Sequence, residues 1–389
     1  MRVCSVVGVM AAMAVSAGCL SEEPMQSEPP DASFLMYVGT YTKETSAGIY
    51  LYRFDPSTGE IHEVGLAAEM RDPSFLALHP NGRFLYAVSE TDDYDGDGSG
   101  SVVSFALDPS SGQLRKLNEV SSRGGWPCHL SVDSTGSMLI VANYRGGNVA
   151  SFPVNDDGTL GEAASFFQHE GSSIHRRQDR PHAHSADFSA DGRFAFFSDL
   201  GLDQIKVYRA NPAGATIAPH DPAQVEVDAG SGPRHFALHP SGRFAYGINE
   251  LASTVTAFDF DAAAGTLDAK QTASTLPEGF EGENSTAEIS VDPAGKFVYA
   301  SNRGHDSIAV FGIDAETGRI EPAGQFSTRG ESPRHFALDP TARYLLAANQ
   351  RSDGISVFRI DDTSGALLPT GTDLTIDAPV CLLFAGGPG

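Results

Sequence analysis

Cysteine is nearly absent from this chain: there are four in 389 residues, and only Cys128 and Cys381 fall outside the first twenty. So sparse a supply excludes a disulfide-stapled scaffold, and the fold must rest on a buried core. Basic residues are also short, 26 Lys and Arg against 50 Asp and Glu, for a formal net charge of −24. A surface that acidic repels phosphate backbones and anionic headgroups, which argues against nucleic acid and peripheral membrane partners. A small anionic ligand is still compatible wherever arginines gather in one pocket. Helical apolar spacing is missing throughout, tryptophan is limited to Trp126, and the one long apolar run is Val3–Ala17.

That run follows Arg2 and ends in small residues, too short for a spanning helix and organised as a secretory leader. Val15-Ser16-Ala17-Gly18-Cys19-Leu20 resembles a bacterial lipobox, so Cys19 is expected to be lipidated and to form the only membrane attachment. The expected organisation is a signal peptide over 1–19, a disordered polar tether over 20–32 and one domain over 33–389, exported to the periplasm or held as an outer-membrane lipoprotein.

What the chain has in quantity is glycine (41) and proline (23), the composition of many short strands joined by turns. One pattern recurs at about 50 residues, the period of propeller blades. It is clearest in PRHFALHPSGRFAYGINE from Pro233, PRHFALDPTARYLLAANQ from Pro333 and PSFLALHPNGRFLYAVSE from Pro73, with weaker copies from Pro127, His182 and Thr286. Each copy reads as a short alternating strand, a tight turn such as Pro240-Ser241-Gly242, and an apolar second strand such as Arg243–Ile248. A third strand and a more polar fourth follow. Phe34–Gly39, Gly48–Asp55 and Ile61–Ala67 supply second, third and fourth strands with no first strand before them, and Pro379–Phe384 supplies the missing one. The expected fold is all-β: a seven-bladed propeller of four-stranded antiparallel blades, closed by the C-terminal strand completing the N-terminal blade.

Strand direction then sorts the surface. The starts of all first strands and the loops between second and third strands share one face, the top, around the central channel. Aligned by repeat, the first-strand starts carry Phe75, His129, Ser185, His235, Glu288, His335 and Cys381, preceded by Ser74, Cys128, His184, Arg234, Ala287, Arg334 and Val380. The second-strand exits add Asn143, Asp199, Asn249-Glu250, Asn302-Arg303 and Asn349-Gln350. Some of these polar groups serve the loops above them. Arginines gathered at one mouth of so acidic a body nevertheless point to an anion site.

The residues that carry this pattern resemble the seven-bladed propeller lactonase family, which includes 6-phosphogluconolactonase and carboxy-muconate lactonizing enzymes. The resemblance rests on Tyr37–Tyr41, Asn143-Tyr144, Pro181–His184, Asp199–Gly201, Gly232–His235, Asn249–Leu251, Ala287–Ile289, Ser301–Gly304, Pro333–His335 and Asn349-Gln350. It implies hydrolysis of a small anionic sugar-acid lactone without a cofactor or metal. It also implies catalytic roles for His184, Arg234, Glu250 and Arg303, with His184 or Glu250 as general base and Arg234 stabilising the oxyanion. Substrate contacts are expected from His182, His235, Glu288, Arg334, His335, Asn143 and Gln350. A non-catalytic envelope propeller binding a ligand or protein on its top face, and a muconate-type cycloisomerase, are the alternatives. Asp93-x-Asp95-x-Asp97-Gly98 opens like a calcium loop, but Ser104 stands where the pattern needs Glu, so it reads as a solvated acidic loop. His129, His235, His335 and Glu288 likewise read as a polar or substrate-binding ring rather than a metal site.

Overall fold

Short strands of alternating polarity, joined by turns rich in Gly and Asp, pair with their chain neighbours before anything more distant can compete. In the computed structural model, which describes residue 1 and residues 33–386 apart from 43, 44 and 97, this produces seven antiparallel four-stranded sheets. The expected leader beyond residue 1, the expected tether, Cys19 and Asp97 lie outside the described residues. Blade 1 joins Phe34–Thr40, Gly48–Phe54 and Ile61–Glu69 to Pro379–Ala385 from the other end of the chain. The closing ladder runs from Leu35 opposite Ala385 to Thr40 opposite Pro379, with a register slip after Gly39 opposite Cys381. The innermost strands of blades 2 to 7 are Leu76–Leu78, Pro127–Val132, Asp187–Phe188, Pro233–Leu238, Ser285–Val291 and Pro333–Leu338. Among the described residues the helical content is a single 3-10 turn, Pro212–Gly214.

The core is distributed between blades, as it must be when each sheet is too small to bury a face against itself. Phe196, Phe236 and Phe258 fill the space between blades 4 and 5, and Phe54, Tyr344 and Leu346 that between blades 7 and 1. A repeated staple crosses these interfaces at the bottom face. Tyr37, Tyr86 and Tyr246 each reach from a second strand to the turn glycine of the next blade, donating to the carbonyls of Gly112 (2.6 Å), Gly158 (3.2 Å) and Gly318 (3.0 Å). Gly318 has φ +66°, and a Cβ there would meet the Phe244 ring at 2.4 Å, so only glycine lets the turn lie this close. Cys128 and Cys381 are both free and buried.

Candidate active site

The blade repeat places three rings of side chains on the channel axis. The lowest holds Phe75, His129, His235, His335 and Glu288, packed ring against ring: Phe75 lies 3.9 Å from His129 between centroids, and His129 lies 5.0 Å from His235. Above it come Cys128, His184, Arg234 and Arg334, one residue earlier in each repeat. Alternation in a strand would send Arg234 and His235 to opposite faces. They share a face because the ladder between first and second strands slips at this point in blades 1, 3, 5, 6 and 7. Such a bulge inserts an unpaired residue and re-aims its side chain. Arg234 Nη1 consequently donates to its own neighbour, His235 Nε2, at 3.1 Å.

The uppermost ring comes from the residue that follows the Thr, Ser, Asn or Asp at the top of each second strand: Tyr41, Glu90, Tyr144, Leu200, Glu250, Arg303 and Gln350. Its height is set by one repeated hydrogen bond. The amides of Tyr41, Glu90, Tyr144, Glu250 and Gln350 donate to the carbonyls of Ala378, Asp72, Trp126, Gly232 and Ser332, each the residue before a blade's first proline. All five acceptor residues have positive φ, between 41° and 63°. Four of them are not glycine, so the turn holds strained backbone in place at the rim of the site.

Glu250 is the electrostatic centre. Its carboxylate is buried and within 3.0 Å of three arginines: Arg177 Nη1 (2.6 Å), Arg234 Nε (3.0 Å) and Arg303 Nη2 (3.0 Å). Burial alone would raise its pKa, but Arg303, Arg234 and Arg177 outweigh that and hold it far below the usual carboxylate range. His184 Nε2 stands 4.0 Å from Glu250 Oε2. Burial, with Arg234 and His235 adding to it, holds this imidazole well below 6.5, so it is neutral at pH 7. Arg234 is pulled down to about 10 by burial and by Arg303 and Arg334, and stays cationic. Arg334 lies over the Tyr41 ring at 5.4 Å, and Tyr41 donates to Glu90 at 2.9 Å. Four arginines thus stand among three carboxylates, Glu250, Glu90 and Glu288, a concentration of positive charge in a body of net charge −24.

Over this base opens a cleft of about 570 Å³, lined below by Arg177, Glu250, Arg303, Arg334 and Gln350 and at its rim by Glu283, Asp306, Glu331 and Arg351. Beside it a pit of about 10 Å³, room for roughly one water-sized atom, is walled by Ser74, Arg234, His235, Arg334 and His335. The residues singled out in the sequence therefore separate. Glu250, Arg303, Arg334 and Gln350 line the cleft; Arg234, His235 and His335 line the pit; and His184 stands beside Glu250. Glu288 is beneath both, its Oε2 3.0 Å from His235 Nδ1 and 3.4 Å from His335 Nε2. His182 is buried, stacked on Tyr144 at 4.5 Å with Nδ1 on the Tyr144 carbonyl at 2.9 Å.

Asn143 is not in the mouth. It is fully buried and spends its amide on the Ser122 carbonyl (2.9 Å) and Asn148 Oδ1 (2.8 Å), which makes it a strut of the turn. The residue after it faces the site, because the turn reverses direction there. Tyr144 belongs to the Asn143-Tyr144 motif, and Arg177 lies outside every motif of the repeat. Arg177 belongs to the 169–180 segment that follows Ser165–Gln168, outside the repeat, so repeat alignment does not place it. Gln178 anchors that segment, donating to the Leu200 carbonyl (2.8 Å) and Asp203 Oδ1 (2.7 Å). Arg177 can then bridge Tyr144 Oη (2.9 Å) and Glu250. The sole signal was His175-Arg176-Arg177, a cationic cluster in an acidic chain. In the acidic loop, Asp93 pairs with Arg71 at 3.0 Å and Asp92 pairs with Arg145. Among the described residues no group of three or more His, Cys, Asp or Glu is arranged to hold a metal ion.

Comparison with known proteins matches residues 35–384 to the family described as Lactonase, 7-bladed beta-propeller. A 6-phosphogluconolactonase of Bacillus subtilis is 36% identical over 303 residues, covering 78% of this chain and 84% of that protein. One from Formosa agariphila is 35% identical over 318 residues, covering 78% and 85%. The solved structure of a periplasmic gluconolactonase from Pseudomonas aeruginosa is similar with a TM-score of 0.87 and 35% identity, over 92% of this chain and 100% of that one.

Proposed function

Because the chain belongs to the seven-bladed β-propeller lactonase family and is a lactone hydrolase, we propose that it opens the lactone ring of an anionic or polyhydroxylated sugar acid at the Glu250 cleft. The observation that carries this reading is one buried carboxylate gripped by three arginines, 4.0 Å from a neutral histidine, at the base of an open cleft. Relatives named 6-phosphogluconolactonase and gluconolactonase support the sugar-acid class.

In this reading the attacking water is held by His184 Nε2, which stands 4.0 Å from Glu250 Oε2. The water oxygen attacks the lactone carbonyl carbon while its proton passes to His184. The carbonyl oxygen becomes an oxyanion beside Arg234 and Arg303. Arg303 Nε is buried without a hydrogen-bond acceptor in the protein, and a substrate oxygen would satisfy it. The intermediate collapses, the ring C–O bond breaks, and the imidazolium returns the proton to the departing alkoxide. Glu250 is a poor base here, because its low pKa removes the driving force for taking a proton. Its work is to fix the arginines and to stabilise the imidazolium, a charge that exists only along the reaction.

The test is hydrolysis of a panel of phosphorylated and unphosphorylated aldonolactones, followed by pH-stat against the spontaneous rate. Acceleration of at least one sugar-acid lactone is expected; no acceleration across the panel would overturn the reading. The pH profile is a second check. The base must be neutral, and its pKa lies well below 6.5, so kcat/KM should stay level as pH falls through 6.5 and decline only at more acidic pH. An acid limb centred at or above 6.5 would remove His184 as the base.

A further inference from the structure

Glu288 lies under the pit, out of contact with the cleft, and no step of hydrolysis uses it. Isolated burial of a carboxylate costs several kcal/mol, so one retained on the channel axis calls for a reason. We propose that Glu288, acting through His235, is a positioning residue that holds the Arg234 guanidinium in its catalytic orientation. What Arg234 does rests on the lactonase reading; how it is held does not.

The argument follows the protons. A guanidinium has no acceptor, so in the 3.1 Å contact between Arg234 Nη1 and His235 Nε2 the arginine donates and the imidazole accepts. His235 is neutral, its pKa pushed down by burial and by Arg234, so its single proton is on Nδ1. That nitrogen faces Glu288 Oε2 at 3.0 Å. His335 has the opposite tautomer: its Nδ1 accepts the Leu382 amide at 3.2 Å, so Nε2 carries the proton and turns it to the same Glu288 oxygen at 3.4 Å. Glu288 Oε1 accepts the Ile289 amide at 3.0 Å. His235 Nδ1, His335 Nε2 and the Ile289 amide thus converge on one carboxylate, and its acceptor oxygen, together with Arg234 on the other side of the ring, keeps the proton of His235 on Nδ1.

The consequence reaches Arg234. With its proton on Nδ1, His235 offers Nε2 as a lone pair to Nη1, which also donates to the Ala287 carbonyl at 2.7 Å. Two acceptors on Nη1 and Glu250 beside Nε at 3.0 Å fix the plane of the guanidinium. Were the proton of His235 on Nε2, two donors would face each other and the guanidinium would have to turn away. The bulge that brings Arg234 and His235 to one face is what makes this contact possible.

Glu288→Gln retains the shape but puts an amide N–H among the imidazole donors. Nitrogen-15 NMR of the histidine rings, without substrate, should show His235 as the Nδ1–H tautomer in the wild type and with a raised share of Nε2–H in Glu288→Gln. Kinetically, kcat should fall about 10- to 100-fold with KM within about threefold, the cost of a misoriented catalytic group. Should that variant fail to fold, His235→Gln and His235→Phe decide. Glutamine can accept from Arg234 and donate to Glu288, so it should retain at least about tenfold more kcat than phenylalanine, whose packing among Phe75 and His129 is the better match. The proposal is overturned by an Nε2–H His235 in the wild type, by unchanged kcat in Glu288→Gln, or by a phenylalanine variant as active as the glutamine one. The tautomer is read even if no lactone is turned over, so failure of the lactonase reading stays distinguishable.

Discussion

Replacing Arg234 with alanine is expected to lower kcat by roughly 100- to 1,000-fold, the range for removing one preorganised oxyanion donor, with the melting temperature nearly unchanged. The two halves of that expectation have one cause. Arg234 is held in a dry pocket against its own preference: burial and the neighbouring Arg303 and Arg334 pull its pKa down to about 10. Deleting it forfeits its contact with Glu250 and its bond to the Ala287 carbonyl. It also relieves desolvation and the repulsion among the arginines, so the stability terms oppose each other. Activity has no such offset, because a group stabilising charge that appears only in the transition state contributes to rate alone. Arg234→Lys should recover part of the loss, since the charge returns without the planar fork that His235 and Ala287 hold. Steady-state kinetics with a thermal melt on each variant gives the answer; undiminished turnover in Arg234→Ala would end the oxyanion assignment.

Glu250→Gln should show the reverse weighting: inactivity together with a large loss of stability. Removing this charge leaves Arg177, Arg234 and Arg303 converging on a neutral amide in a buried site. Breaking a buried ion pair by deleting one partner costs about 3–5 kcal/mol. A depressed carboxylate pKa means that the unfolded chain binds the proton more readily than the folded one. The stabilisation is therefore fully present above the ordinary glutamate value of 4.5 and is lost as pH falls below it towards the folded pKa. The denaturation midpoints of wild type and variant should lie far apart at pH 7 and approach each other below pH 4.5. Added phosphate should also raise the variant's midpoint more than the wild type's, by occupying the unpaired arginines. Equal midpoints at pH 7 would mean that Glu250 does not hold the arginine cluster together.

Much of the molecule was legible in the chain because a propeller is local. Each blade pairs neighbours in sequence, so the repeat that begins at Pro73, Pro233 and Pro333 dictates the sheets without long-range information. The exception, the pairing of Phe34–Thr40 with Pro379–Ala385, was readable because the first blade lacked a strand that the last residues supplied. Arg303, Arg334 and Gln350 follow from the same alignment, since residues at equivalent repeat positions must reach equivalent heights on the axis. Asn143 shows where alignment stops. It marks the correct turn, but which of two adjacent side chains faces the mouth depends on backbone direction at the top of the strand, and there Tyr144 takes the place.

By itself, then, the sequence determined a seven-bladed, strand-closed ring and the face on which its arginines and histidines gather, because periodicity and strand direction are one-dimensional properties. Only the tertiary structure decided which of those residues act together. The bulge that turns both Arg234 and His235 inward depends on ladder register across two strands. The reach of Arg177 from an unrepeated loop depends on Gln178 being buried against Asp203. The conversion of Glu250 from candidate base to arginine-bound anion depends on three guanidinium groups arriving from different parts of the ring. Charge at a site is a sum over neighbours in space, and a pattern along the chain does not contain that sum.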